Sequence, residues 1–268
     1  MVDPYLKLLP VFFVISGLVK AVPVTVGWAV GRTRLAERWR VYRRDLAPGQ
    51  LRSEARAAIG VVVCDALLIT AFRAAYESRM VPFSLGATLL TFAWMFVGFE
   101  VWFYVTHRLL HTRALYRLHA QHHVAQVTDP LTSLSFSVVE RMVLMGGGFG
   151  LVILAMQVMP VTLAGVMAYI LTNYALNVFG HGNTEWLPER FVRSWAGRLF
   201  FTPTFHALHH ARYQGHYGLF TPMLDRWLGT AFDDYEEVHA RARAGNGLER
   251  IGERVRSAKQ PAALASTV

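Results

Sequence analysis

The chain has 268 residues, room for one or two domains, and 53% of it is hydrophobic with a mean hydropathy of +0.30, which excludes an ordinary soluble enzyme. Only 17% is charged, and the formal net charge of +9 does not indicate nucleic acid, because the arginines flank apolar runs instead of forming a soluble basic domain. An integral membrane protein is expected, with membrane lipids around it and no nucleic-acid partner. Residues 9–31 are long enough to cross a bilayer, although Lys20 and Pro23 interrupt them. The run contains Lys20 and lacks a small-residue cleavage site, so a retained span is expected rather than a signal peptide. Arg32 to Arg56 carries eight arginines against Glu37, Asp45 and Glu54. The positive-inside rule makes this loop cytoplasmic.

Residues 57–76 form a second apolar run, with Cys64, Asp65 and Arg73 embedded. The single cysteine excludes a disulfide framework, a cysteine-based zinc site and an iron–sulfur cluster; a buried thiol is expected. Asp65 and Arg73 are expected to pair inside the bundle or to snorkel. A short turn at Glu77 to Pro82 precedes an apolar helix over residues 83–106, which ends in the aromatic cluster Trp102, Phe103 and Tyr104 at the membrane boundary. After a polar connector broken at Asp129-Pro130, residues 135–159 and 161–180 predict a hairpin turned at Pro160, with Gly146 to Gly148 allowing close helix approach. Five spans, or four if the first segment lies in the interface, put every histidine from His107 to His216 at one membrane face. The domains expected are 1–56 (first span and basic loop), 57–240 (catalytic) and 241–268 (charged tail).

The histidines carry the chemistry. His107 and His111 read H-x-x-x-H; His119, His122 and His123 read H-x-x-H-H; and His206, His209 and His210 repeat that second spacing. On a helix, residues three and four apart share a face, so each box is expected to aim its imidazoles at one point. By composition, a histidine is followed by x-x-H-H roughly one time in 600, so chance does not explain two occurrences. Imidazole without cysteine suits iron, zinc, copper or nickel. Eight box histidines plus His181 are about twice the four ligands of a structural zinc site, which implies two metals. Iron performing O₂ chemistry is the first expectation and zinc the second. Asn177, one turn before His181, is suited to hold a metal-bound water or to orient His181. Glu100 lies two turns before His107 on the same helix face; both it and Glu140 are open between orienting an imidazole and being a simple interfacial charge. His216 is open between an outer partner of the metals and a structural residue. His239 lies beyond the pattern and is expected at the surface.

The order H-x-x-x-H, H-x-x-H-H, N-x-x-x-H, H-x-x-H-H resembles the fatty acid hydroxylase / sterol desaturase superfamily of integral membrane di-iron enzymes. The likeness runs from Glu100 to Thr230 and includes E-x-x-x-Y-x-x-H-R-x-x-H at Glu100 to His111, T-P-x-x-H-x-x-H-H at Thr202 to His210, and D-R-W-L-G-T at Asp225 to Thr230. The resemblance implies an all-α membrane bundle with a cytoplasmic histidine-rich helical cap holding a dimetal site. It implies His107, His111, His119, His122, His123, His181, His206, His209 and His210 as ligands, with Asn177 contributing through water. It also implies two irons, O₂ as co-substrate, and hydroxylation or desaturation of an unactivated C–H bond of a lipid entering from the bilayer. Where relatives read N-Y-G after the last box, this chain has His216-Tyr217-Gly218. Electrons must come from an external donor of the ferredoxin, rubredoxin or cytochrome type, expected to dock on the arginine-rich face. A bacterial inner membrane, with the site on its cytoplasmic side, is the expected location. A zinc-dependent membrane hydrolase and a metal transporter are the competing readings; ionisable residues gathered at one face weigh against transport.

Overall fold

The computed structural model describes residues 7–255, and among them the regular structure is entirely helical. In chain order the helices are α1 (Leu9–Gly31), α2 (Arg34–Arg38), α3 (Gln50–Tyr76), α4 (Leu85–Leu110), α5 (Tyr116–His119), α6 (Val138–Val158), α7 (Leu163–His181), α8 (Trp195–Leu199), α9 (Pro203–Arg212), α10 (Met223–Trp227) and α11 (Tyr235–Arg243). Five of them, α1, α3, α4, α6 and α7, are long and apolar enough to cross a membrane. Their outer faces carry uncovered aliphatic side chains such as Ile59, Leu89, Val97 and Val158, which only a lipid environment would leave at no cost.

Helix starts follow their capping residues. Ser84, Ser137, Thr162 and Thr202 each accept a bond from a backbone N–H three residues on, and Pro203 occupies the first turn of α9. The glycine run of α6 serves a different neighbour from the one expected: a Cβ at Gly147 would lie 2.0 Å from Trp102 Nε1, so the close approach is to α4 and not to the hairpin partner α7. Trp102 is thus packed against α6. Inside the bundle Asp65 takes a bidentate bond from Arg141 (2.6 and 2.7 Å), a bond from Tyr174 (2.6 Å) and the Lys20 ammonium at 2.9 Å. The expected internal pairing therefore joins α1, α3, α6 and α7. Arg73 instead pairs with Glu77 one turn on, and Cys64 is a buried free thiol.

Everything outside the five long helices except the turns at 77–84 and 159–162 collects at one end of the bundle as a cap. Its core is built on Tyr42, Phe205, Leu208, Phe220 and Leu248, all essentially solvent-free. The segment expected as a tail begins inside this core, since Leu248 pairs with Tyr42 and Val255 N–H donates to Asp234; residues 256–268 lie outside the described residues.

Candidate metal centre

Nine imidazoles converge where the cap meets the bundle, and all nine are buried. His107 and His111 come from the last turn of α4 and its cap, His119 from α5, His122 and His123 from the following 3₁₀ turn, His181 from the last residue of α7, and His206, His209 and His210 from α9. They form two groups: His107, His111, His119, His123 and His209 in one, and His122, His181, His206 and His210 in the other. The boxes therefore do not each aim at one point. In each H-x-x-H-H the first and last histidines go to one group and the middle one to the other. Position i+4 lies about 40° to one side of i around a helix and i+3 about 60° to the other, so the two diverge by about 100°, and α9 uses that divergence to serve both groups. The groups share a wall, with the His123 and His210 rings 4.7 Å apart.

Hydrogen bonding fixes which nitrogen faces inward. A carbonyl can only accept, so Nδ1–H donates in His107 to Tyr217 O (2.8 Å), in His122 to Ser135 O (3.2 Å), in His181 to Asn177 O (2.7 Å), in His209 to Gly215 O (2.8 Å) and in His210 to Ala125 O (2.9 Å). His119 Nδ1 is held by Glu140 at 2.6 Å. Their Nε2 atoms are then left with lone pairs. Yet His107 Nε2 stands 3.1 Å from His119 Nε2, and His209 Nε2 stands 3.1 Å from His123 Nε2. In the second group His181 and His206 Nε2 are 2.9 Å apart. His107 and His119 thus turn two lone pairs on one another, which repel unless a cation lies between them; in the other two contacts the lone pair of His209 or His181 meets a ring whose tautomer no bond fixes. Nitrogens about 2.1 Å from one ion are themselves roughly 3.0–3.4 Å apart. His111 Nδ1, His123 Nδ1, His206 Nδ1 and His210 Nε2 have no hydrogen-bond partner, a cost that buried groups rarely bear unmet. The residues present fit metal ions.

Burial, reinforced by neighbouring imidazoles, pushes His111 down to about 2 and His119, His122, His123, His206, His209 and His210 well below the ordinary histidine range. All are neutral, as ligation requires. Because these folded values are depressed, the stability this set contributes to the metal-free chain is complete above about pH 6.5 and is lost as pH falls below that value. Chelated protein is therefore expected to unfold at lower temperature at pH 5.5 than at pH 7.5; an unchanged midpoint would contradict the neutral assignment.

The expected supporting residues are redistributed. Glu100 touches no imidazole; it accepts the backbone N–H groups of Leu219, Phe220 and Thr221 (2.9–3.2 Å) and so fixes the loop whose Tyr217 carbonyl holds His107. Two turns of spacing on α4 aim it at that loop, and Glu140 from α6 orients an imidazole instead. Glu140→Gln is expected to weaken metal binding about 10–100-fold with the helical content unchanged, as read by competition with a chelator. The Asn177 side chain bonds to Asn173, and only its carbonyl orients His181. His216 lies outside both groups. Its Nδ1 donates to Phe205 O, its Nε2 accepts from Phe232 N, and its ring stacks on Phe205 at 3.8 Å, immediately before His206. Burial lowers it to about 3. The loop itself is tightly wound: Tyr213 and His216 have positive φ, and at Gly215 (φ +136) a Cβ would meet Thr230 O at 2.7 Å.

His239 is fully buried, not at the surface. It stands 3.4 Å from Glu185, which also accepts the Thr204 N–H and hydroxyl at the start of α9. Burial pushes the Glu185 carboxyl up, but the His239 contact and the bonds from Thr204 and Leu187 outweigh it and hold it below the usual range. His239→Ala is expected to cost about 2 kcal/mol, seen as a lower denaturation midpoint; a wild-type midpoint would restore the surface reading. Asp225 was visible only as part of the D-R-W-L-G-T motif. It accepts the Tyr217 and Gly218 N–H groups and the Thr230 hydroxyl and braces the same loop.

Beside the two histidine groups lies a narrow cavity of about 20 Å³ bounded by Phe103, Phe136 and Asn177. It shares Phe99, Arg141, Leu144, Asn173 and Tyr174 with an apolar cavity of about 70 Å³ between α4, α6 and α7. Phe136 stacks on His122 (4.6 Å) and Phe103 packs on His107 (4.8 Å), so the cavity roof touches one imidazole of each group.

The family model described as fatty acid hydroxylase matches residues 92–230. A very-long-chain aldehyde decarbonylase, GL1-6, of Oryza sativa subsp. indica is 32% identical over 155 residues, covering 54% of this chain and 24% of the relative. Protein CER1-like 1 of Arabidopsis thaliana is 30% identical over 175 residues (62% and 27%), and very-long-chain aldehyde decarbonylase CER1 of the same plant is 29% identical over 170 residues (61% and 27%). The chain thus spans about a quarter of the length of the curated relatives it matches. No solved structure matches it.

Proposed function

The chain belongs to the fatty acid hydroxylase family, and from that premise we propose that it is a membrane-bound di-iron oxygenase acting on an unactivated C–H bond of a lipid. The observation that carries the reading is the pair of adjacent, buried imidazole groups with lone pairs turned inward. The ligands we assign are His107, His111, His119, His123 and His209 to one iron and His122, His181, His206 and His210 to the other. When bound, the irons supply O₂ activation in a site that water does not reach.

The chain's own residues position and exclude. Phe103 and Phe136 hold the substrate carbon against both groups, and the cavity between α4, α6 and α7 takes apolar chain from the bilayer. Glu140 and the carbonyls of Tyr217, Ser135, Asn177, Gly215 and Ala125 keep each ring in one orientation. Residues 57–240 form the catalytic unit in this reading. The arginine-rich end is assigned to the cytoplasmic side. A soluble ferredoxin, rubredoxin or cytochrome supplies electrons there, with exposed Arg34 and Arg38 on one face of α2 as contacts for an acidic donor.

A second reading, reaction at the oxygenated end of a long-chain aldehyde, is favoured by the names of the relatives. A zinc hydrolase stands lower, because the carboxylate that touches the site, Glu140, is engaged with His119, and Glu100 is held by backbone N–H groups away from the imidazoles. The test is incubation of iron-loaded protein with reductant and either alkane-chain or aldehyde lipids, with and without O₂. Oxygen uptake matched by a hydroxylated or desaturated lipid supports the oxygenase; a product one carbon shorter selects the aldehyde reading; turnover without O₂ and with zinc overturns both.

A further inference from the structure

Three hollows adjoin one another, from the arginine-rich loop before α3 to the cleft between α1 and α3. The outermost, of about 840 Å³, is lined by Arg40, Arg43 and Arg44 together with Glu37 and Asp45, over a floor that includes Leu46 and Val127. Among the described residues none of these three guanidinium groups has an ion-pair or hydrogen-bond partner from its side chain. The next, of about 400 Å³, shares Arg40, Arg44 and Val127 with the first and reaches Trp28 in the last turns of α1. The innermost, of about 280 Å³, shares Trp28 with the second and is an almost wholly apolar cleft between α1 and α3, walled by Ala21, Val24, Ile59 and Leu134.

The sequence of environments is that of a bilayer leaflet: cations at the level of phosphate, an indole at the interface, hydrocarbon below. Trp28 donates its Nε1–H to Asp129 (2.7 Å), so the ring is fixed at that level. We propose that this trough binds one glycerophospholipid of the bilayer, its phosphate among Arg40, Arg43 and Arg44 and one acyl chain in the cleft between α1 and α3. Guanidinium forks match phosphate oxygens bidentately, and the two carboxylates leave a net positive lining. The walls of the trough are the continuations of the metal site. Val127 follows Ala125, whose carbonyl holds His210, and Gly182 to Thr184 follow His181. A lipid bound here braces two segments that orient the second histidine group, without entering the substrate cavity.

The test uses the full chain, delipidated in detergent and loaded with metal, and native mass spectrometry to count retained molecules. The probes are phosphatidylglycerol, a diacylglycerol of the same chains, and inorganic phosphate. One phosphatidylglycerol per chain, with diacylglycerol retained far less, is the expected result. Each arginine changed among Arg40→Gln, Arg43→Gln and Arg44→Gln is expected to lower retention roughly fivefold, the equivalent of about 1 kcal/mol per cation near a lipid surface. Ala21→Trp, which fills the exposed mouth of the cleft, is expected to abolish it separately, with metal content unchanged in every variant. Diacylglycerol retained as well as phosphatidylglycerol would overturn the phosphate site. Loss in the arginine variants but not in Ala21→Trp, with inorganic phosphate displacing the lipid, would reduce the trough to a phosphate pocket and overturn the lipid.

Discussion

Purified His209→Ala is expected to hold about one metal ion per chain where the wild type holds two, and His206→Ala is expected to show the same loss from the other group. His209 belongs to the first group, where its Nε2 faces that of His123 at 3.1 Å and its Nδ1 is held by Gly215. His206 belongs to the second, 2.9 Å from His181. The two are only three residues apart on α9, so a general disturbance of that helix would affect both groups alike. Selective loss is therefore a test of the division itself. Removing a residue that ligates directly, as proposed for both, is expected to cost more than the 10–100-fold typical of an outer partner, and the proposed lipid oxidation is expected to fall below detection in both variants. Two ions retained in either would remove that residue from the ligand set. Loss of both ions from each would mean that the groups act as one site.

Asp65→Ala is expected to be the most damaging change outside the metal centre. The carboxylate is fully buried, and three other helices converge on it through Lys20, Arg141 and Tyr174. Removing it leaves two cations without a counter-ion in the bundle interior, where breaking a buried pair costs about 3–5 kcal/mol and a lone charge is worse off still in hydrocarbon. The unfolding midpoint in detergent should fall accordingly, while the chains that remain folded keep their metal, because no member of the cluster touches a histidine of either group. Adding Lys20→Met should restore part of the loss. A midpoint equal to the wild type would mean that the cluster contributes specificity but no net stability.

Hydropathy made the five long helices readable, since an apolar run of about 20 residues bounded by charge has few other uses; α3 begins at Gln50, two turns before the predicted residue 57, because its charged first turns with Arg52, Glu54 and Arg56 lie outside the apolar run. The first span ran from 9 to 31 in both sequence and structure, even though Lys20 looked like a weakness; its partner Asp65 lies 45 residues on and was visible only as another embedded charge. Histidine spacing identified eight of the nine residues that the fold brings together, and His181, which stands in no box, came from the inner end of its span and the family likeness. What spacing could not supply was direction. The first H-x-x-H-H is broken between α5 and a 3₁₀ turn, so no helical wheel describes it, and the division between groups depends on how that turn packs against α9. Glu100 and Glu140 make the same point. Shared phase on α4 suggested that Glu100 serves His107, but the backbone of residues 219–221 arrives from far along the chain and takes both its oxygens. His239 lies beyond the histidine pattern, and lying outside a motif says nothing of burial: α11 buries it beside Glu185 and the start of α9. The family likeness covered the site but not residues 1–56, and the trough beside α1 and α3 could be found only in three dimensions.

The central claim is that two metal ions sit in the two histidine groups, and elemental analysis of the full chain, purified after iron-replete expression, tests it most directly. About two irons per chain are the expected result. Two zincs that persist under those conditions would contradict the oxygenase and favour hydrolysis, and one ion or none would contradict the dimetal site itself.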